Sequence, residues 1–88
     1  MSAKRGHRGR VDGHHAEVLD TLRSLGWLTL SLAEIGRGCP DALAYRQGIW
    51  RLIEVKQPSG KLTLPQVAFI QKGWPVDIVR GMDDVVKL

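Results

Sequence analysis

The chain has a single cysteine, Cys39, so no internal disulfide can brace it. Small secreted domains rely on several, which points this one to a reducing compartment, with Cys39 as a small, partly buried hydrophobe. No apolar run approaches the ~20 residues that a bilayer span needs, and the first residues lack the apolar stretch of a signal peptide. No membrane partner is expected, and a cytoplasmic location is. Long polar or low-complexity tracts are missing as well, which argues against general disorder. Acids are missing before Asp12, whereas Lys4, Arg5, Arg8 and Arg10 stand there. Those four cations equal the whole net charge of +4, leaving residues 11 to 88 formally neutral.

This distribution divides the chain into a basic arm, residues 1–12, and one domain, residues 13–88. A basic arm on a neutral body suits a polyanion, through phosphate contacts that are indifferent to sequence and sensitive to salt; it is equally the composition of a solvated tail. An 88-residue chain can form one modest core, which is marginal without disulfides, a metal or self-association. Metal binding or a homo-oligomer is the expected remedy.

Apolar residues Val18, Leu19, Leu22 and Leu25 recur at three- and four-residue spacing, which predicts a helix from about His14 to Leu25, ended by Gly26. Trp27 to Leu32 alternates as a half-buried strand does, with Leu28, Leu30 and Leu32 on one side. Gly36-Arg37-Gly38-Cys39-Pro40 reads as a loop. Asp41–Tyr45 and Ile49–Lys56 form a predicted hairpin around Arg46-Gln47-Gly48. A loop from Gln57 to Lys61 leads to a second helix, for which Thr63 and Gln66 have capping-box spacing and Pro65 suits the first turn. Its buried face would include Val67, Phe69 or Ile70. A fourth strand, Val76–Val79, and a short helix within Asp83–Leu88 complete the order αβββαβ with a terminal α.

On the third strand, Glu54 and Lys56 share a face with Leu52, while Ile53 and Val55 take the other. Asp41 opens the partner strand, so a hairpin would bring its carboxylate near that face. Two carboxylates and an ammonium supply what phosphodiester hydrolysis needs: hard oxygen ligands for Mg²⁺ and a cation to orient water or stabilise developing charge. Each residue alone has a plainer explanation. Glu54 and Lys56 suit a solvated ion pair, Glu17 suits the positive end of a helix dipole, and Gln66 suits its capping box.

Taken in order, Glu17, Gly38-Cys39-Pro40-Asp41, Glu54-Val55-Lys56, and Ser59-Gly60-Lys61-Leu62-Thr63 leading to Gln66 resemble the VRR-NUC family of the PD-(D/E)XK nuclease superfamily, from about His14 onward. The resemblance implies an α/β, restriction-endonuclease-like αβββαβ core, with a mixed four-stranded sheet flanked by helices. It implies direct metal ligation by Asp41 and Glu54, with the carbonyl of Val55 as a further ligand and Lys56 positioning the water. Glu17 would complete the acidic site as a ligand or through water, and Gln66 would reach in from the second helix. Mg²⁺ is the implied metal, with Mn²⁺ able to substitute, and DNA the implied substrate. Small stand-alone members are similar to Holliday-junction resolvases and self-associate, which implies a phage-type homodimer acting on branched DNA in a bacterial or phage-infected cell.

A nucleic-acid-binding module that keeps this fold without cutting is the competing reading, and a tethering protein is a third. Acids placed against phosphates would weaken a pure binder, which separates the first two. His14, three positions before Glu17, either borders the site or is a surface or cap residue. Neither it, His15 nor His7 makes a zinc set with one cysteine. Trp27, Trp50 and Trp74 fit core and interface anchors better than base-stacking platforms. Arg37 and Lys61 flank the predicted site as phosphate contacts or solvated side chains.

Overall fold

A computed structural model of the protein describes residues 13–88, so the basic arm, with Lys4, Arg5, His7, Arg8 and Arg10, lies outside the described residues. Helix α1 spans Gly13–Ser24, strands β1 to β3 span Leu28–Ser31, Ala42–Arg46 and Ile49–Val55, helix α2 spans Leu64–Gln71, β4 spans Val76–Val79 and α3 spans Met82–Val86. The order is αβββαβα, and the boundaries fall close to those read from periodicity. The four strands form one mixed sheet in the order β1-β2-β3-β4, antiparallel through β3 and parallel between β3 and β4. Helix α2 is the crossover that the parallel pair requires.

Helix α1 ends through paired bonds from Trp27 N to Leu22 O (3.0 Å) and from Gly26 N to Arg23 O (3.0 Å). The turn delivers Trp27 into the core beside Val18 and Leu22 of α1, where Ala42 and Ala44 of β2, Ile53 and Val55 of β3, Val79 of β4 and Val85 of α3 complete the buried set. The Arg46 guanidinium lies 4.5 Å over the Trp27 ring, closing the core at its rim. Helices α1 and α3 thus cover one face of the sheet.

The other face is apolar but open, which sequence periodicity alone did not anticipate. In β1 the leucines are the outward side, Leu28 being 70% and Leu30 60% exposed, while Trp27 turns toward the helices. Leu25 lies past the last helical residue and is also exposed. Helix α2 buries no residue completely, and Val67, Phe69 and Ile70 are half-buried. Of the three tryptophans expected as anchors, only Trp27 is one within this chain; Trp50 and Trp74 are 63% and 51% exposed.

Two local constraints set the register and the loop that carry the site. Gln47 and Gly48 both have positive φ (51° and 87°), the backbone of a two-residue hairpin whose twist matches the flanking strands. That turn pairs Arg46 with Ile49 and, farther along, Ala42 with Ile53. At the opposite end, Gly38 has φ +80°, and a Cβ there would run into the Pro65 carbonyl and the Gln66 amide, so loop 36–40 docks backbone to backbone on the first turn of α2. Gly38→Ala should therefore cost about 2–4 kcal/mol in urea unfolding, combining left-handed strain with a steric clash. Gly36→Ala, with φ +71° but open space around it, should cost only about 1–2 kcal/mol. Equal losses would show that the loop does not dock on α2.

Candidate active site

Extending the β2–β3 register by one position beyond Ala42 and Ile53 sets Asp41 across from Glu54. Pro40 before it is buried, and the Asp41 carbonyl accepts a hydrogen bond from Leu32 N (2.9 Å), so the chain entering β2 is held on both sides. Asp41 Oδ2 accepts the Val55 amide at 2.8 Å. Glu54 is the one buried charged residue among those described, 4% exposed, and its Oε2 accepts a 3.0 Å bond from Gln66 Nε2. Lys56 Nζ stands 4.0 Å from the same oxygen. The sequence's two explanations of Gln66 both hold: its Oε1 accepts from Thr63 N (2.9 Å) in the capping box while its Nε2 serves Glu54.

Asp41, Glu54, Val55 and Lys56 line a cavity of about 400 Å³ with His14, His15, Gly60 and Lys61. The cavity floor is the C-terminal end of β3, and its rim is the loop after it. Arg80 clamps that loop, donating from Nη1 to Gln57 O (3.1 Å) and Gly60 O (2.6 Å). His14 Nε2 donates to Lys56 O (2.8 Å), tying the start of α1 to the end of β3. His15 Nε2 lies 3.7 Å from Asp41 Oδ2, close enough for attraction but long for a hydrogen bond.

The electrostatics follow from placing two carboxylates in a partly dry pocket. Burial pushes the Glu54 carboxyl up to about 7, and the charge of Asp41 adds to the rise, against an opposing pull from Lys56. Burial acts on Asp41 in the same sense, but His15, the Val55 amide and the shared proton on Glu54 outweigh it and hold Asp41 below its ordinary value. The pair therefore holds one proton between two acids below neutral pH and gives it up as pH rises through about 7.

Of the sequence-predicted residues, Asp41, Glu54, Val55, Lys56 and Gln66 come together. Glu17 does not join them: it is exposed on α1, outside the cavity lining, with its backbone carbonyl accepting from Thr21 Oγ1 (2.9 Å). From α1 the residue that reaches the acids is His15, and His14 is the one that braces the strand. Their adjacency to Glu17 was the only available signal, and nothing in spacing says which side of a helix start faces a sheet end. Lys61 lines the cavity, whereas Arg37 is exposed outside its lining. Among the described residues no three His, Cys, Asp or Glu side chains converge closely enough to hold a metal ion by themselves. Asp41 and Glu54 remain a fit for Mg²⁺, which uses one or two carboxylates and keeps several waters.

Family models, curated proteins and solved structures were each compared with the chain, and none matches.

The raised carboxyl makes stability pH-dependent with a definite sign. Glu54 titrates higher folded than at its ordinary value of 4.5, so its contribution is complete below that pH and is lost as pH rises through about 7. That loss is on the order of 3 kcal/mol. Asp41 acts oppositely, since a lowered carboxyl loses its contribution as pH falls below the ordinary range. Glu54→Gln keeps the shape and removes the charge, so melting temperatures should show it more stable than the parent at pH 8, with the gap closing toward pH 5. A gap that does not vary with pH would mean that Glu54 titrates as an ordinary surface acid.

Proposed function

We propose that the chain is a metal-dependent endonuclease of the PD-(D/E)XK kind, of VRR-NUC type, hydrolysing phosphodiester bonds in DNA. The observation that carries the reading is the meeting of Asp41, Glu54 and Lys56 in one cavity, with an acid near pH 7 that no fold-level need explains. A buried Glu54 and a partly buried Asp41 facing each other across a hairpin oppose folding, and a divalent cation between them would relieve the repulsion. The element order αβββαβ with a mixed sheet supports the restriction-endonuclease-like core that the sequence resemblance implies.

In this reading Asp41 and Glu54 would hold the metal, with the Val55 carbonyl as a third oxygen. Mg²⁺ is the expected ion and Mn²⁺ a substitute. A bound divalent ion would supply positive charge to the phosphate oxygens and acidity to a nearby water. Lys56, only 15% exposed at its side chain and beside Glu54, would orient the attacking water. Gln66 fixes the Glu54 carboxylate from α2, so that its other oxygen is presented to the cavity. Glu17 acts through solvent from the exposed side of α1, which suits an outer-sphere role better than direct ligation. His15 keeps Asp41 ionised, and thus ready as a ligand. Lys61 at the rim meets phosphates, and the basic residues of the arm add further phosphate contacts. The substrate is branched or junction DNA, cut in the cytoplasm, as the resemblance to the family's junction-resolvase-like members implies.

Asp41→Ala and Glu54→Ala should each lower Mg²⁺-dependent cleavage of duplex, flapped or four-way-junction DNA by at least roughly 100-fold. Binding of the same DNA should stay equal or tighten, because negative charge has left the phosphate side. Normal cleavage by either variant would sink the site assignment; tight binding with no cleavage by the parent under any divalent metal would favour the non-catalytic binding module.

Deleting residues 2–10 tests the arm separately. The dependence of log binding constant on log salt should flatten by about 0.9 for each phosphate of duplex DNA that the arm had neutralised, while metal-dependent chemistry persists. An unchanged slope would mean that the arm does not touch the DNA.

A further inference from the structure

The sheet face not covered by α1 and α3 carries a regular apolar pattern. Register places Leu30, Leu43, Leu52 and Val76 side by side in a row across all four strands. The next row is Leu28, Tyr45 and Trp50. Side chains directly opposite each other in a ladder share a face, so both rows stand on one surface. Two hollows, of about 440 and 180 Å³, lie along it and adjoin at Leu43 and Trp50. Trp50, its ring 4.6 Å from that of Tyr45, forms the ridge between them. Beyond the larger hollow Trp74 is stacked on Phe69 at 5.4 Å and stays half exposed.

Among the described residues, the only charged groups at these hollows are Arg51 and Asp77, which face each other at 3.6 Å. With Arg51 engaged by Asp77, a nucleic acid would find no spare cation here to meet its phosphates, and the surface is too apolar for open solvent. Scaling typical side-chain areas by their exposures, Leu28, Leu30, Trp50, Trp74 and their half-buried neighbours present on the order of 400 Å² of apolar surface. One side of a standard protein interface covers about 800 Å², of which some 56–65% is apolar, so this face alone supplies most of what a stable dimer needs. A ridge flanked by hollows is also self-complementary under a twofold axis, since each Trp50 can enter a hollow of the other copy.

We propose that this open face is a homodimer interface in which two copies pack sheet against sheet, with Trp50 at its centre. A second copy gives the leucines and tryptophans the second apolar layer that a sheet with one covered face lacks, and it adds to a core cluster of nine buried apolar residues among those described. The inference stands on the sheet face alone and does not depend on the chemistry assigned to Asp41 and Glu54.

Sedimentation velocity of the full chain from roughly 1 to 100 µM, the range in which a standard-sized interface associates, should show a dimer. Leu30→Lys and Trp50→Glu should each weaken it at least roughly 100-fold, giving monomers with unchanged far-ultraviolet circular dichroism. Should Trp50→Glu fail to fold, Leu28→Lys carries the test, because a side chain 70% exposed in the single chain can be charged without disturbing its core. A parent that stays monomeric at the top of that range, or a dimer indifferent to charges at positions 28 and 30, would overturn the proposal. Glu54→Ala should leave the dimer intact, which keeps this result separate from the cleavage assays.

Discussion

The register of the β2–β3 hairpin governs everything at the candidate site. With Gln47 and Gly48 making a two-residue turn, Ala42 stands opposite Ile53 and Asp41 falls opposite Glu54. Side chains along a strand alternate, so a slip of one residue would send Glu54 and Lys56 into the core and bring Ile53 and Val55 out. The burial of Ile53 and Val55 against α1 and α3 therefore fixes where the carboxylates go. The same apolar contacts that stabilise the fold bury Glu54 and force two acids together, and its rise toward neutral pH follows from the burial first and from the Asp41 charge second.

That conflict is contained by a small set of polar contacts drawn from separate parts of the chain. The Val55 amide serves Asp41, Gln66 serves Glu54 while capping its own helix, and His14 ties α1 to the end of β3. Arg80 holds the loop that rims the cavity. Gly38 lets loop 36–40 approach the backbone of α2, so the helix that brings Gln66 is itself seated by the segment that brings Asp41. The site is thus a junction of α1, β2, β3 and α2, and local unfolding at any one of them would loosen it.

The sheet is asymmetric in its two faces. One is sealed by α1 and α3, and the other combines the acidic row at one end with leucines and tryptophans over the rest. Along β3, Glu54 and Trp50 share a face and are separated by about 13 Å of strand. Chemistry and association can therefore be divided between two ends of a single surface without competing for the same residues.

Much of this was legible in the order of residues. The spacing of Val18 and Leu22 marked α1, the hairpin was announced by Gln47-Gly48 between alternating strands, and Thr63 with Gln66 marked the start of α2. The alternation of β3 put Glu54 and Lys56 on one face, because a period of two is a local property of the backbone. Which face became the core was a different matter. The alternation of β1 separated its leucines from Trp27 without saying which side is covered; Trp27 takes the core, because the turn after α1 points it at the helix, and Leu28 and Leu30 stay exposed. Likewise, the family resemblance put Glu17 near the acids, but the direction in which α1 meets the sheet end brings His15 to Asp41 and leaves Glu17 outside. The sequence by itself determined the elements and their alternation, which depend on neighbours a few residues apart. Only the tertiary structure decided which side of each element is covered, because that depends on the packing of α1, α2 and α3 against a sheet whose strands are distant in the chain.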